Sequence, residues 1–308
     1  MKQTKSITTQ MFNDNKIEEG FIKSPLNYIG GKYKLLKQII PYFPKNIDTF
    51  VDLFAGGCNV GINVRAKRYF FNDNLTYLID MYKEFQNTDI KDILKHIQKR
   101  VNEYQLSLTN SEGYNQLRAY YNTNRNSLDL FVLIAYSFNH QIRFNNSHEF
   151  NNPFGKERST FNPSMKKNLE RFIHKIQNIE TIFTNYNFDK FPIDNLSKND
   201  FVYCDPPYLI TTGSYNDGKR GFTGWSMKEE KKLLEILDEL NAKGVKFALS
   251  NVIEHKGKSN IILQNWVNKN SLYKVNSLYS NYSNSNYHTK DRSKNGSKEI
   301  LITNYENI

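Results

Sequence analysis

The apolar run Phe201-Val202-Tyr203-Cys204 stops on Asp205-Pro206-Pro207-Tyr208, and this junction constrains the fold more than any other stretch of the 308-residue chain. Consecutive prolines can neither continue a helix nor donate to a sheet, so the run reads as a short buried strand ending in a stiff loop. α/β sheets place ligands at such strand ends. A second run, Phe50-Val51-Asp52-Leu53-Phe54, closes on the glycine-rich turn Ala55-Gly56-Gly57, with Gly61 beyond it and a helix start expected there. Tyr69 to Phe71 predicts the next strand, closing on Asn72-Asp73-Asn74. From about Leu75 to Glu180 the pattern changes to amphipathic helical segments. Strands resume with Thr181 to Phe183. Ser226 and Glu229 predict a capping box for a helix carrying Leu233, Leu234, Ile236, Leu237 and Leu240 on its apolar stripe. Gly244 is expected to stop that helix before a strand from Val245 to Ser250. Leu272 to Ser280 and Glu299 to Asn304 predict two antiparallel strands at a sheet edge, and Asn281 to Tyr287 a loop. The fold class expected is α/β, a doubly wound sheet interrupted by a smaller, mainly helical domain.

Composition narrows the functional classes. With 38% hydrophobic and 14% aromatic residues the chain can build a core, which excludes wholesale disorder. No apolar stretch approaches the roughly 20 residues needed to cross a bilayer, and the N-terminus lacks a secretory signal, so a cytoplasmic protein is expected. Cys58 and Cys204 are the only cysteines, too few for a disulfide framework or thiolate cluster, and the six histidines show no ligand spacing. No metal is expected. Lys and Arg exceed Asp and Glu by 42 to 31, a formal net charge of +11. Nucleic acid is the first partner such a balance suggests, although the abundance of Asn, Lys, Ile and Tyr also fits an AT-rich genome.

The chemistry lies in three segments. On the Asp205 to Tyr208 loop a carboxylate, the Pro206 carbonyl and an aromatic ring suit a planar substrate bearing an amino group. Asp205 and the Pro206 carbonyl can accept both amino hydrogens while Tyr208 stacks. The bland alternative is a proline-rich turn whose Asp caps the next element. Glycines after a buried strand let a ligand approach the backbone. Asp73, about 20 residues beyond Asp52, stands where an acidic residue binds ribose hydroxyls in nucleotide sites. The third segment, Tyr28-Ile29-Gly30-Gly31-Lys32, taken alone is a glycine turn capped by a lysine.

In their chain order, cofactor segments first, the helical insertion next and the Asp205 loop last, the three segments resemble the Dam-type (D12 class, α-group) N6-adenine-specific DNA methyltransferases, over nearly the whole chain from Ser24 to Tyr305. The resemblance implies a Rossmann-like sheet (1–80 and 181–308) that uses S-adenosylmethionine, with an inserted DNA target recognition domain (81–180). It assigns Asp205, Pro206, Pro207 and Tyr208 to catalysis. It assigns Tyr28, Gly30, Gly31, Lys32, Asp52, Phe54, Ala55, Gly56, Gly57, Asp73 and Asp205 to the cofactor. Within the insertion, Asn139, Arg143 and Asn145, followed by Glu149-Phe150-Asn151-Asn152-Pro153-Phe154-Gly155, is similar to a DNA-contacting hairpin of related enzymes. Asn139, Arg143, Asn145, Asn151, Pro153, Lys156 and Arg158 are the DNA-binding residues this implies. Arg143 is the expected guanine reader, with a solvated or salt-bridged helix position as its alternative, and Lys156 and Arg158 are expected phosphate contacts. Relatives often carry Trp at position 28 and Arg at position 156. The tract from Leu209 to Trp225 is less like the GATC enzymes than like those reading CATG or GGATG.

The activity implied is methyl transfer to a flipped-out adenine of double-stranded DNA, by the modification enzyme of a type II restriction-modification system. A cognate restriction endonuclease is an expected partner, no membrane is involved, and a monomer or weak dimer is expected. Alternatives are an orphan or phage regulatory methylase, an enzyme acting on cytosine N4, RNA adenine or protein glutamine, and a non-catalytic DNA-binding relative.

Overall fold

The structure, a computed structural model, describes residues 20–211, 225–279 and 298–306. Strand β1 (Thr49–Asp52) is buried at every residue, as a strand covered on both faces must be. It pairs in parallel with β2 (Arg68–Asn72) on one side and β4 (Phe201–Cys204) on the other. β3 (Glu180–Thr184) pairs with β2, and its alternation of exposed and buried residues suits an edge strand. β5 (Lys246–His255) extends the parallel set beside β4. A two-residue strand, β6 (Lys258–Ser259), folds back on the end of β5. The C-terminal pair forms as expected: β7 (Lys274–Leu278) at the edge, antiparallel to β8 (Lys298–Thr303), which is antiparallel to β5. The sheet order is β3-β2-β1-β4-β5-β8-β7, so the winding reverses between β1 and β4 and opens a crevice at their C-terminal ends.

Short α1 (Leu36–Ile39) precedes the sheet. Helices α2 (Thr76–Asn87), α3 (Ile90–Glu103), α4 (Ser111–Asn124), α5 (Ser127–Tyr136) and α6 (Pro163–Gln177) occupy the stretch between β2 and β3. α5 is buried from Leu128 through Tyr136, which its almost unbroken apolar sequence requires, and α2, α3 and α4 pack against it. One apolar cluster runs from Leu26 and Leu36 through the sheet residues Phe50 and Phe71 into Phe131 and Phe172 of these helices. On the opposite face α7 (Met227–Ala242) packs its stripe of leucines, and α8 (Ile261–Lys269) follows β5. The Ser226–Glu229 capping box is present, and Gly244, at φ +73°, ends the turn after α7.

Several expectations need correction. β1 ends at Asp52, two residues early, because Leu53 and Phe54 already belong to the turn. The helix expected after the glycine-rich turn is only a 3₁₀ turn, Gly61–Asn63: an added Cβ at Gly61 would lie 2.2 Å from the Phe71 ring, so the chain is pressed against the sheet there. α8 and β6 were not expected. The predicted Asn281–Tyr287 loop lies outside the described residues.

Candidate active site

All three sequence segments meet in one cleft of about 1040 Å³, open mouth included, at the point where the winding reverses. Every residue from Tyr28 to Lys32, Asp52 to Gly57, and Asp205 to Tyr208 lines it, as does Asp73. The two carboxylates Asp52 and Asp205 come from, or directly follow, the adjacent strands β1 and β4.

Lys32 is buried, and its Nζ donates to Gly30 O at 2.8 Å and lies 3.0 Å from Asp205 Oδ1. The same ammonium stands 4.9 Å from the centroid of the Tyr208 ring. Tyr208 donates its hydroxyl to Asp205 Oδ1 at 3.1 Å. Both contacts therefore fall on one carboxylate oxygen, Oδ1, of a residue that lines the cleft. Burial pushes the Asp205 carboxyl above its ordinary value, and the Lys32 ammonium opposes that shift. Asp52 is pushed up further, first by burial and then by the negative charge of Asp205. Its Oδ1 is buried with no hydrogen-bond partner, an acceptor waiting for a donor.

The glycine-rich turn has its own scaffold. Gly56 adopts φ +46°, and an added Cβ there would lie 2.9 Å from Tyr28 Cε1, so only glycine leaves Tyr28 its place across the turn. Asp73 Oδ2 accepts from Gly56 N and Oδ1 from Leu75 N, each at 2.9 Å. Asp73 thus latches the turn, while each oxygen keeps a second lone pair for a ligand.

Sequence reasoning missed the residues that hold these parts from outside. Tyr82 on α2 donates to Gly56 O at 2.7 Å. Asn72 spans the strand ends, donating to Leu53 O and Tyr186 O and accepting from Tyr186 N and Thr184 Oγ1. Asn59 accepts from Ser24 N and fastens the N-terminal segment. In sequence Tyr82 is indistinguishable from an ordinary core residue, and no local pattern marks the two asparagines. Phe54, Phe188 and Trp225 form an aromatic cluster at the cleft, with centroids 5.3 to 5.6 Å apart.

None of the seven DNA-binding expectations lines this cleft. Five of them lie on a hairpin between α5 and α6, held by the Ser137–Phe154 and Phe144–Phe150 bridges and by Asn151 N donating to Arg143 O at 3.0 Å, and Lys156 and Arg158 lie in the turn that follows it. Arg143 is exposed in that hairpin, not in a helix, and among the described residues its guanidinium makes no ion pair or hydrogen bond. Asn145 is engaged internally: its Oδ1 accepts from Ser147 N and Glu149 N, and its amide donates to Glu149 Oε2. Asn139 has φ 55°, and its carbonyl accepts from Asn27 Nδ2 at 2.8 Å, tying the hairpin base to the segment that enters the cleft. Asn151 Oδ1 is buried and unpartnered, and Pro153 accepts from Phe138 N. Lys156 is exposed beside Glu157, and Arg158 lies 5.3 Å over the Phe138 ring. Arg118 and Arg125, two other cations of the insertion, are turned inward: Arg118 over Tyr114, and Arg125 between Tyr77 and Tyr121.

A mostly parallel sheet with a carboxylate-Pro-Pro-aromatic loop and a glycine-rich turn on neighbouring strands is the arrangement of a Rossmann-like methyltransferase. The chain matches the family model of the D12 class N6 adenine-specific DNA methyltransferases over residues 28–281, and it belongs to that family. It is 54% identical over 286 residues to modification methylase StsI of Streptococcus sanguinis, covering 93% of this chain and 43% of that protein. It is 50% identical over 308 residues to type II methyltransferase M.FokI of Planomicrobium okeanokoites, covering 98% of this chain and 47% of that protein. The DNA adenine methylase of Salmonella typhi is 29% identical over 231 residues, 73% of this chain and 79% of that protein. The chain therefore spans less than half the length of the first two relatives.

Proposed function

We propose that the chain transfers a methyl group from S-adenosylmethionine to N6 of an adenine flipped out of duplex DNA, as a type II modification enzyme in the cytoplasm. The observation that carries this is the convergence of Lys32, the Asp52 to Gly57 turn and the Asp205 to Tyr208 loop on one cleft. The names of the relatives, modification methylase and type II methyltransferase, favour a restriction-modification role, with a cognate endonuclease as partner, over an orphan regulatory one.

The residues fit the cofactor. Gly56 and Gly57 form a cradle that a Cβ would fill, and Asp52 Oδ1 offers an unused buried acceptor to an ammonium group. Tyr28 and Lys32 close one side, and Asp73 has lone pairs left for hydroxyls. When bound, S-adenosylmethionine supplies an electrophilic methyl on its sulfonium.

Adenine N6 is a poor nucleophile because its lone pair is delocalised into the ring. Asp205 Oδ2 and the Pro206 carbonyl accept the two amino hydrogens, which draws the nitrogen toward tetrahedral geometry and localises that pair. Lys32 and the Tyr208 hydroxyl hold Oδ1, so the carboxylate cannot rotate away. The raised proton affinity of the buried Asp205 favours taking the proton that nitrogen releases. The Lys32 ammonium lies 4.9 Å from the centroid of the Tyr208 ring; stacking of the base on that ring would recover roughly 1–3 kcal/mol of the cost of flipping.

The insertion, 81–180, serves as the DNA-recognition part, with Arg143 as base reader and Lys156 and Arg158 on phosphates. Incubation with labelled cofactor and duplex DNA, followed by digestion to nucleosides, tests the whole reading. N6-methyladenine is the expected product; label on cytosine, on RNA alone or on protein would overturn it.

A further inference from the structure

The residue before an N-cap commonly packs, as an apolar side chain, against an apolar residue at the fourth helical position. At the start of α7 those positions are Trp225 and Glu230, and the contact is a hydrogen bond: the indole Nε1 donates to Glu230 Oε2 at 2.7 Å. Glu230 is 1% exposed. Its other oxygen, Oε1, accepts from Asn251 Nδ2 of β5 at 3.2 Å and from Asn260 Nδ2, the N-cap of α8, at 2.8 Å. All three donors are neutral, and burial pushes the carboxyl above its ordinary value. An apolar residue would fasten α7 to the sheet without desolvating a carboxylate. What the carboxylate adds is direction. It binds three separate elements to one indole, and that indole stands at the cleft with Phe54 at 5.6 Å, near perpendicular, and Phe188 at 5.3 Å.

We propose that Glu230 is a positioning residue that locks Trp225 against Phe54 and Phe188, so that the three packed rings form one wall of an aromatic slot in the cleft, against which a purine ring lies. Two purines would reach this cleft under the function proposed above, on which the inference rests: that of the cofactor and that of the target base. The experiment separates them.

Trp225 and Trp266 are the chain's two tryptophans, so a Trp266→Phe protein reports Trp225 emission alone. It is titrated with S-adenosylhomocysteine without DNA, and separately with an adenine-containing duplex without cofactor. A saturable change with the first assigns the slot to the cofactor purine, and with the second alone to the target base; no change with either overturns the proposal. Trp225→Ala is expected to raise the Kd of the responding ligand about tenfold, and Trp225→Phe about threefold, with the other ligand's KM within twofold. Glu230→Gln, its folding checked by thermal unfolding, is expected to fall between them. Unaltered Kd in Trp225→Ala also overturns the slot. Wild-type methyl transfer, measured in parallel, tells this failure from failure of the function: active enzyme with a silent Trp225 sinks only the slot, and an emission change without methyl transfer sinks only the reaction.

Discussion

Asp205 has both its protein partners, Lys32 and Tyr208, on Oδ1, and that asymmetry defines what substitutions do. Asp205→Ala removes the proposed acceptor for the amino group and lies outside the glycine-rich turn. Turnover is expected to fall by at least two orders of magnitude, with S-adenosylhomocysteine affinity within a few-fold by calorimetry. Tyr208→Phe loses the hydroxyl bond to Oδ1 but keeps the ring, so it is expected to be milder than Tyr208→Ala, which loses the ring as well. Single-turnover rates for the pair decide whether ring or hydroxyl matters more. Ionised Asp205 is the form that accepts amino hydrogens, and the Lys32 ammonium favours that form. Loss of the cation raises the carboxyl pKa further. Lys32→Met is therefore expected to shift the acid limb of the kcat profile to higher pH, measurable from pH 5 upward; an unmoved limb would separate Lys32 from the ionisation of Asp205. The motif residues were legible because prolines and glycines impose backbone shapes that a sequence displays directly. Trp225, Asn72 and Tyr82 were not, since their roles depend on partners tens of residues away.

At the scale of elements, α3 and α5 are joined by a buried charge cluster. Asp129 is fully buried on α5 and accepts from Arg100 Nε at 2.7 Å and Nη2 at 3.1 Å, and its Oδ1 lies 2.6 Å from His96 Nε2. Burial alone would raise its carboxyl, but His96 and Arg100 outweigh burial and hold it below the ordinary value. A depressed folded pKa stabilises the fold above the unfolded value and loses that contribution as pH falls through the folded one. Asp129→Ala leaves Arg100 buried without its main partner and is expected to cost about 3–5 kcal/mol at pH 7 in urea unfolding. The gap from wild type should shrink once the pH drops below 3.8, the ordinary carboxyl value. The hairpin makes a second test at this scale. Arg143→Ala is expected to relax discrimination at one base, by about 1–3 kcal/mol, if its exposed guanidinium is the guanine reader proposed above. Lys156→Ala should weaken binding to every duplex alike and reduce the salt slope. Competition with single-base-substituted duplexes at fixed salt distinguishes them; equal losses on all duplexes for Arg143→Ala would make it a backbone contact.

For the molecule as a whole, the apolar cluster passes from the sheet into the inserted helices without a break, so the two parts share side chains that neither can bury alone. One calorimetric unfolding transition is expected, with deletion of 81–180 abolishing folding; two separated transitions would show an independent insertion. The sequence by itself determined the parallel strands, the insertion between them and the three segments that meet at the cleft. Each of these is written in local terms: apolar runs of strand length, prolines that forbid extension, glycines that permit a turn, a capping box at a helix start. Tertiary structure alone decided that the expected helix after Gly57 is a 3₁₀ turn, and that Gly61 lies so close to the Phe71 ring that a Cβ there would clash. It decided that Asp73 latches a turn, that Arg118 and Arg125 face inward while Arg143 faces out, and that a glutamate on α7 grips a tryptophan at the cleft. Those outcomes depend on which surfaces the sheet order brings together, and distances between residues far apart in the chain are set only when the core closes.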